Sequence, residues 1–272
     1  MTRADPVTVD TARLPLLLSE LRLPTVNRLW TPFAERAEQE GWPPARFLAA
    51  LLEHELAERH QRRIQRHLQD ARLPPGKSFA TFDFAAVPSL GKARILALGA
   101  GGSWLDKGAN LLLFGPPGTG KSHLAAALGD ALVATGYRVL FTRTTDMVQK
   151  LQAARRDLTL AATLDKLDKY DLLILDDLSY VRKDQAETSV LFELISARYE
   201  RRSILITANA SFGTWDSVFP DPAMTVAAID RLVHHATILE MNTESYRRRA
   251  ALSRTNRRAD ADAADPPQTG TA

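Results

Sequence analysis

The sequence predicts an α/β domain with a central five-stranded parallel sheet, preceded by a small helical domain. From residue 110 onward, short apolar runs alternate with helix-favouring stretches, an order typical of a doubly wound α/β fold. Several of these runs are apolar on both faces, as buried parallel strands are. Residues before 75 are rich in Leu, Ala, Glu and Arg and contain almost no Gly, so helices without strands are expected there.

The helical domain is expected to occupy residues 1–75. Prolines punctuate it, and two of them stand where helices could begin. Its last stretch, ARFLAALLEHELAERHQRRIQRHLQDARL, is long, favours a helix and carries a broken apolar stripe. A connector at 76–109 follows, which contains the aromatic FATFDF and the glycine-rich GAGGSW.

The strands of the sheet are predicted at short apolar runs. The runs are LLLF at 111–114, VLF at 139–141, LLIL at 172–175, ILIT at 204–207 and TILE at 237–240. The α/β domain is therefore expected to extend over residues 110–250. The tail at 251–272 is first basic and then rich in Ala, Asp and Pro, a composition that predicts disorder.

The composition excludes several classes of protein. The chain contains no Cys, which excludes disulfides, Cys-ligated zinc, iron–sulfur clusters and thiol catalysis. No apolar run approaches the roughly 20 residues that span a membrane, and the first residues lack an apolar stretch of signal-peptide length. We therefore expect a reduced, soluble, intracellular protein that does not contact membranes.

The formal net charge of +3 comes from a local excess of arginine near the C-terminal end. Those arginines are Arg247, Arg248, Arg249, Arg254, Arg257 and Arg258. Such a run can contact phosphates, or it can be the solvated end of a helix or part of a disordered tail.

A phosphate-binding loop is predicted at GPPGTGKS, which matches the pattern G-x-x-x-x-G-K-[ST] in full. Its glycines permit positive φ angles and a close approach of the backbone to phosphates, and successive N–H groups form an anion site at the start of the next helix. Lys121 can reach the β- and γ-phosphates, and the Ser122 hydroxyl can bind Mg²⁺. The predicted binding residues are Gly115, Pro116, Pro117, Gly118, Thr119, Gly120, Lys121, Ser122 and His123.

Two carboxylates follow the apolar strand LLIL, at the edge where α/β sheets bind ligands. Asp176 can hold Mg²⁺ directly or through water, so it and Ser122 are the predicted metal ligands. Asp177 can orient and deprotonate the attacking water. Together with the phosphate-binding loop, this pair predicts hydrolysis of a nucleoside triphosphate with Mg²⁺.

Two further residues can contribute to that reaction. Asn209 follows the strand ILIT and can hydrogen-bond the γ-phosphate or the attacking water, although Asn also simply caps strands and helices. Arg231 follows a candidate helix and can stabilise transition-state charge in a neighbouring subunit's site, or it can pair on the surface with Asp230.

The histidines predict no metal site of the protein's own. His54, His60 and His67 are six and seven residues apart, which differs from the i,i+4 spacing of a helical zinc pair. His234 and His235 are expected to point to different faces.

The ordered set of motifs resembles the AAA+ helper ATPases of bacterial insertion-sequence transposons, the IstB-type proteins, which are themselves similar to the DnaC helicase loader. The resemblance runs from about residue 20 to residue 250. It is carried by LLEHELAERHQRR, FATFDF, NLLLFGPPGTGKSHLAAALG, GYRVLFT, LLILDDLSY, LFELISARYERRSILITANASFGTWDSVF and AIDRLVHHATILEMNTESYRRR. It implies an AAA+ P-loop fold for the α/β domain.

The resemblance implies roles for the residues of the phosphate site. Lys121 and Ser122 would be the Walker A lysine and hydroxyl. Asp176 would be the Walker B magnesium residue, and Asp177 would occupy the position of the catalytic acid. Family members commonly carry Glu at that position, so the shorter Asp177 could hold the water more loosely and slow turnover.

Three other residues receive roles from the same resemblance. Asn209 would be sensor 1. Arg231 would be the arginine finger offered to the adjacent subunit. Arg247, in ESYR, would be a sensor-2-like residue that contacts the nucleotide.

The implied function is ATP-dependent assistance to transposition in the bacterial cytoplasm, with ATP and Mg²⁺ as cofactors. Such proteins assemble as homo-oligomers on double-stranded DNA and recruit or stimulate a partner transposase, through a helical N-terminal domain that faces the transposase or the DNA. Candidate DNA contacts are Arg155, Arg156, Arg182 and Lys183.

Three alternatives remain at this point. A DnaC-like replicative helicase loader has the same fold and a different partner. A small-molecule P-loop kinase would need a lid of several arginines, and the tandem Asp176–Asp177 argues against it. A DNA-binding adaptor that uses ATP only as a switch stays open because of the shorter acid at Asp177.

Overall fold

The computed structural model describes residues 11–178, 185–209 and 221–242, and these divide into two compact units with a boundary between Arg66 and His67. The domain boundaries expected from the sequence, at 75, 109 and 250, stay predictions. No helix in the described ranges is both long and apolar enough to cross a membrane.

The first unit is helical. A 3₁₀ turn, Thr11–Arg13, leads into α1 (Leu14–Glu20), which is followed by α2 (Pro24–Gln39) and by α3 (Pro44–Ala71), whose last turn passes the unit boundary. Prolines occupy the first positions of the first two helices, where a missing N–H costs nothing. Its small core consists of Leu18, Val26 and Leu51, against which Leu14, Leu23, Leu29, Trp30, Phe33 and Phe47 pack.

A buried carboxylate caps α2. Glu55, which is 2% exposed, accepts the backbone N–H groups of Thr25 and Val26 at 2.8 and 3.2 Å. Burial opposes ionisation of Glu55, yet its pKa is lowered, because the hydrogen bonds from Arg59 and from these two N–H groups outweigh the loss of water. The first unit is therefore held together by one charged cap as well as by its apolar core.

The second unit contains the predicted sheet. Its strands are β1 (Asn110–Phe114), β2 (Val139–Arg143), β3 (Leu172–Asp176), β4 (Ser203–Ala208) and β5 (Ala236–Glu240). Its helices are α4 (Lys92–Gly99), α5 (Ser103–Asp106), α6 (Lys121–Ala134), α7 (Thr144–Arg156), α8 (Leu160–Leu167), α9 (Gln185–Arg198) and α10 (Pro222–Val233), with a 3₁₀ turn at Phe84–Ala86.

All neighbouring strands are parallel, in the order β2-β3-β4-β1-β5. Each of the predicted apolar runs lies within one of these strands, so the predicted five-stranded parallel sheet is confirmed. The residues of β1 and β4 are buried along their whole length, whereas β5 at the sheet edge is partly exposed. Because the strands are parallel, their carboxyl ends meet at a single edge of the sheet, where ligands bind in open α/β folds.

A buried arginine connects the segments at the opposite, amino edge. Arg198 is 1% exposed and donates to the backbone carbonyls of Leu167, Tyr170 and Ser203 at 3.1, 2.9 and 3.0 Å. Burial lowers its pKa to about 10, which the nearby Asp168 only partly offsets. Arg198 thus supplies donors to carbonyls at the end of α8, in the segment before β3 and at the start of β4.

Replacing Arg198 by Met should lower the free energy of unfolding by about 3 kcal/mol or more, since each buried carbonyl left without a donor costs about 1–3 kcal/mol. Urea unfolding monitored by circular dichroism measures this change. The matched control is Arg201→Ala, because Arg201 pairs with the same Asp168 but is 66% exposed, and removal of such a pair costs about 1 kcal/mol or less. Equal effects of the two substitutions would contradict the account.

Candidate active site

The loop between β1 and α6 needs glycine for steric reasons. Gly115 has a φ of +151°, and a Cβ there would lie 2.5 Å from the backbone oxygen of Met241. Gly120 has a φ of +98° and directly precedes α6 in the left-handed region. The loop follows a buried strand and leads into a helix N-terminus, as the motif predicted, so its N–H groups lie where a helix start favours anions.

Lys121 lies inside the curve of this loop. Its side chain is 7% exposed, and its ammonium donates to the carbonyl oxygens of Gly115 and Pro116 at 2.6 and 2.9 Å. The positive charge is thereby held among the backbone groups that form the anion site. The residues present fit a nucleoside triphosphate, because a buried ammonium and a helix N-terminus both favour phosphate oxygens.

The two carboxylates follow β3 and are joined to the next strand by a buried hydroxyl. Thr207 on β4 is 1% exposed, and its Oγ1 donates to Oδ1 of Asp176 at 2.6 Å while it accepts the backbone N–H of Asp177 at 2.8 Å. The backbone oxygen of Asp176 also accepts the hydroxyl of Thr144 at 3.0 Å. These contacts fix the direction of the Asp176 carboxylate, which together with the Ser122 hydroxyl provides the hard oxygen ligands that Mg²⁺ prefers.

Asn209 and Asp177 contact each other directly. Asn209 Nδ2 lies 3.3 Å from Oδ1 of Asp177, so the amide donates to the candidate catalytic acid. Asp177 has a φ of +63°, in the left-handed region that Asp tolerates better than most residues. The backbone conformation therefore gives a physical reason for Asp at this position.

These groups line one cleft of about 680 Å³. Lys121, Ser122, His123, Asp176, Asp177 and Asn209 all lie along it, as do Thr207, Arg143 and residues of the connector. Gly115 and Pro116 are connected to the cleft through Lys121, whose ammonium donates hydrogen bonds to their carbonyl oxygens. The structure thus brings together the predicted phosphate, metal and water-positioning residues.

The connector forms one wall of this cleft. The ring of Phe82 packs edge-on against those of His123 and Phe84, at centroid distances of 5.4 and 4.9 Å. Thr81 Oγ1 lies 3.0 Å from Nε2 of His123. Burial, and then the charge of Lys77, lower the pKa of His123, so this ring is neutral at pH 7. The rings of Phe82 and His123 give this wall an aromatic surface beside the phosphate site, which suits the base of a nucleotide.

Arg231 does not reach this cleft. In the parallel register, Asn110 pairs with Ala236 and Phe114 with Glu240, so α10 ends beside the amino edge of β1. The cleft lies beyond the carboxyl edge, roughly 13 Å away along the strand at about 3.3 Å per residue. The guanidinium of Arg231 instead lies over the ring of Phe192, 5.0 Å from its centroid, and donates to the carbonyl of Ala227 at 3.0 Å.

Comparison with known proteins identifies the family of this chain. Residues 16–254 match the model of the family described as IstB-like ATP binding protein. The chain belongs to this family. The resemblance expected from the sequence is thus confirmed.

Relatives of this IstB-like chain are named after insertion sequences. It is 70% identical over 245 residues to a putative insertion sequence ATP-binding protein of Sinorhizobium fredii, covering 90% of this chain and 82% of the relative. It is 36% identical over 234 residues to the insertion sequence IS21 putative ATP-binding protein of Pseudomonas aeruginosa, covering 86% of this chain and 88% of the relative.

Solved structures support the fold alone. The structure of AMPPCP-bound DnaA from Aquifex aeolicus matches with a TM-score of 0.53 at 19% identity and covers 68% of this chain and 56% of that chain. The crystal structure of DnaI matches with a TM-score of 0.51 at 20% identity, covering 61% of this chain and 92% of that chain. The predicted AAA+ P-loop fold of the IstB-like chain is confirmed.

Other predicted residues of the IstB-like chain lie away from the cleft or outside the described residues. Arg155, at the end of α7, donates to Ser189 Oγ at 3.0 Å and pairs with Glu193, whereas Arg156 is exposed. Arg182, Lys183 and Arg247 lie outside the described residues. The four DNA contacts and the sensor-2-like role therefore stay predictions.

The expectation that His234 and His235 point to different faces was wrong. Their rings lie 4.0 Å apart, and a nitrogen of each lies within 3.7 Å of the Glu200 carboxylate. The physical reason is that α10 ends at Val233 and β5 begins at Ala236, so neither the helical nor the strand period governs these two residues.

Thr207 and Phe82 are site residues that sequence reasoning missed. Thr207 follows the apolar run ILI in a buried strand, two residues before Asn209, and a polar residue at this place is the signal that could have found it. Phe82 belongs to FATFDF, a segment of the connector with three phenylalanines in six residues. So many aromatic residues in a connecting segment were a similar signal.

Thr207→Val should lower kcat for ATP by about 10- to 100-fold with little change in KM, because small misplacements of a water-positioning group cost rates of this size. Steady-state kinetics give the split between kcat and KM. Thr207→Ser keeps the hydroxyl and should restore most of the rate. Loss of ATP binding together with turnover in the Val variant would assign Thr207 a structural role only.

Proposed function

We propose that the chain is an Mg²⁺-dependent ATPase that assembles as a homo-oligomer on double-stranded DNA and recruits or stimulates a partner transposase. One observation carries the proposal: a cleft that holds the phosphate, metal and water-positioning groups lies at one edge of the sheet, and Arg231 lies at the other. A site arranged in this way is completed by a second subunit.

Within one subunit, each residue has a task in hydrolysis. The N–H groups of the loop and the ammonium of Lys121 bind the phosphates, and Ser122 with Asp176 would hold Mg²⁺. The metal, when bound, neutralises charge that develops on the phosphate oxygens. Asp177 orients the attacking water and accepts its proton, while the amide of Asn209 keeps the Asp177 carboxylate in place.

Arg231 supplies the remaining positive charge to a neighbouring subunit. Its contact with Phe192 and its bond to Ala227 hold the guanidinium near the end of α10. On assembly the guanidinium would exchange these contacts for phosphate oxygens in the cleft of the next subunit, as arginine fingers supplied in trans do.

The proposed partners are DNA and a transposase. Insertion sequences are mobile DNA, and the relatives are ATP-binding proteins named after them, which favours a role in transposition over the loading of a replicative helicase. The first helical unit exposes Leu16, Leu21, Leu48 and Leu56, with exposed fractions from 56% to 71%. A protein partner of this unit, which we take to be the transposase, would bury these leucines. Action on bacterial DNA places the protein in the cytoplasm.

Duplex DNA should stimulate ATP hydrolysis, and DNA affinity should fall steeply with salt, because each phosphate that the protein neutralises releases condensed counterions. Fluorescence anisotropy of labelled duplex across a salt series measures the slope of log affinity against log salt. Truncation after Tyr246 removes the six tail arginines. If these arginines contact DNA, the slope of log affinity against log salt should become shallower by about 0.9 for each phosphate contact that is lost. A flat salt response of the full chain, or no effect of DNA on turnover, would contradict the proposal.

A further inference from the structure

A cluster of metal-ligating side chains lies at the amino edge of the sheet, away from the nucleotide cleft. Glu200 lies in the turn between α9 and β4, while His234 and His235 lie between α10 and β5. Within the ranges that the structure describes, one ligand atom from each of these residues lies within 4.8 Å of the others. Nδ1 of His234 and Nε2 of His235 are 3.7 and 3.5 Å from the same carboxylate oxygen of Glu200.

These distances fit a tetrahedral cation. Nitrogen and oxygen ligands at about 2.1 Å from Zn²⁺ are about 3.4 Å from one another in a tetrahedron. The two separations from the Glu200 oxygen, 3.7 and 3.5 Å, are close to this value. All three ligand atoms lie within 4.8 Å of one another, so side-chain rotations would bring them to one cation. Two imidazoles and one carboxylate are also the ligand types that Zn²⁺ and related borderline cations accept.

The backbone holds the two ligand-bearing segments in place. Asn110, which is 7% exposed, accepts the N–H of Ile204 at 2.9 Å and donates through Nδ2 to the carbonyl of Leu232 at 3.0 Å. Its own N–H donates to the carbonyl of His235 at 3.1 Å. A single buried side chain therefore joins the start of β4 to the end of α10, which preorganises the cluster.

The turn that carries Glu200 is packed closely as well. A Cβ on Gly108 would lie 2.9 Å from the backbone nitrogen of Arg201 and from the carbonyl carbon of Glu200. Only glycine leaves room for this turn, so the position of Glu200 is fixed by backbone packing. The side chains themselves are about half exposed, at 52% for Glu200 and 51% for each histidine.

We infer that Glu200, His234 and His235 bind Zn²⁺ or a related transition-metal cation in an open, exchangeable site. The fourth position is left to water or to another donor, as in zinc sites with three protein ligands. The hydroxyl of Tyr199 is 2.6 Å from Nδ1 of His234. A metal on that nitrogen would replace this hydrogen bond and place the phenol beside the fourth position. The site lies one helical turn from Arg231 and links the end of α10 to the turn after α9.

Cobalt titration of the untagged full-length protein, without nucleotide or Mg²⁺, tests the site. Co²⁺ should bind with one equivalent per chain and give the intense visible absorption of a four-coordinate complex, which Zn²⁺ then removes by competition. His235→Ala and Glu200→Gln should each weaken Co²⁺ binding by about 100-fold or more, since loss of even an outer partner of a metal ligand costs about 10- to 100-fold.

The matched control is His60→Ala, which removes an exposed histidine from the first unit and should leave Co²⁺ binding unchanged. Thermal unfolding of each variant without metal shows whether it is folded. We expect the Glu200 and His235 variants to fold, because both side chains are about half exposed. The inference is overturned if Co²⁺ gives no saturable site, or if folded His235→Ala and Glu200→Gln proteins bind it as tightly as the parent does. Neither result would bear on the nucleotide cleft, whose phosphate, metal and water-positioning residues lie at the other edge of the sheet.

Discussion

Lys121→Ala should abolish ATP turnover, with a loss of at least about 100-fold in kcat/KM. An effect of this size is expected when one fixed charge or donor is removed from a site that binds developing negative charge. The ammonium is buried within the loop and bonded to two of its carbonyls. Its removal takes away the one side-chain cation of the phosphate-binding loop and leaves those two carbonyl oxygens without this donor. Nucleotide binding, measured with a fluorescent ATP analogue, should weaken together with turnover.

Two controls make the Lys121 result specific. Lys107→Ala removes an exposed lysine next to α5 and should leave turnover unchanged. Lys121→Arg keeps the charge but should not restore activity, because the planar guanidinium cannot replace the compact ammonium that bonds the carbonyls of Gly115 and Pro116. Undiminished hydrolysis by the Ala variant, with or without DNA, would show that the site has been assigned to the wrong loop.

Arg231→Ala should leave nucleotide binding by the single chain intact and lower ATP turnover of the oligomer by about 1,000-fold or more, the range found for arginine fingers. Its guanidinium lies at the amino edge of the sheet, so the substitution removes no group that binds nucleotide within its own subunit. Arg231→Lys keeps the charge without the planar fork and should recover little of the rate. Weaker ATP binding by the monomeric Arg231→Ala chain would contradict the role in trans.

Much of this structure was predictable from the sequence because its strongest signals are local. The apolar runs of β1, β3 and β4 are buried on both faces, so their pattern needs no knowledge of neighbours. The phosphate-binding loop is similar: glycines with positive φ, followed at once by a helix, are encoded within a few residues. The position of the pair Asp176–Asp177 at the carboxyl edge of the sheet follows from the direction of β3 alone.

The features that sequence reasoning missed depend on contacts between distant segments. Thr207 acquires its role only because β4 pairs with β3 and places its hydroxyl between two aspartates. Phe82 becomes part of the cleft wall only when the connector packs against His123. The meeting of Glu200 with His234 and His235 likewise depends on Asn110, which joins two segments far apart in the chain. No periodicity within one segment reports such contacts.

The central claim, that one subunit's cleft is completed by Arg231 of the next, is tested most directly by mixing two inactive proteins. Arg231→Ala chains keep Asp177, and Asp177→Asn chains keep Arg231. In a random mixture of equal amounts, about one quarter of the interfaces between neighbours combine an intact cleft with an intact finger. ATPase activity in the presence of duplex DNA should therefore reappear on mixing.

The matched control mixes Arg231→Ala with the double variant Asp177→Asn/Arg231→Ala, which offers no intact finger and should stay inactive. Assembly of each mixture on DNA is followed by electron microscopy, so that an inactive mixture that does assemble is informative. We expect restored hydrolysis in the first mixture and none in the control. An assembled first mixture that stays as inactive as its components would contradict the shared site.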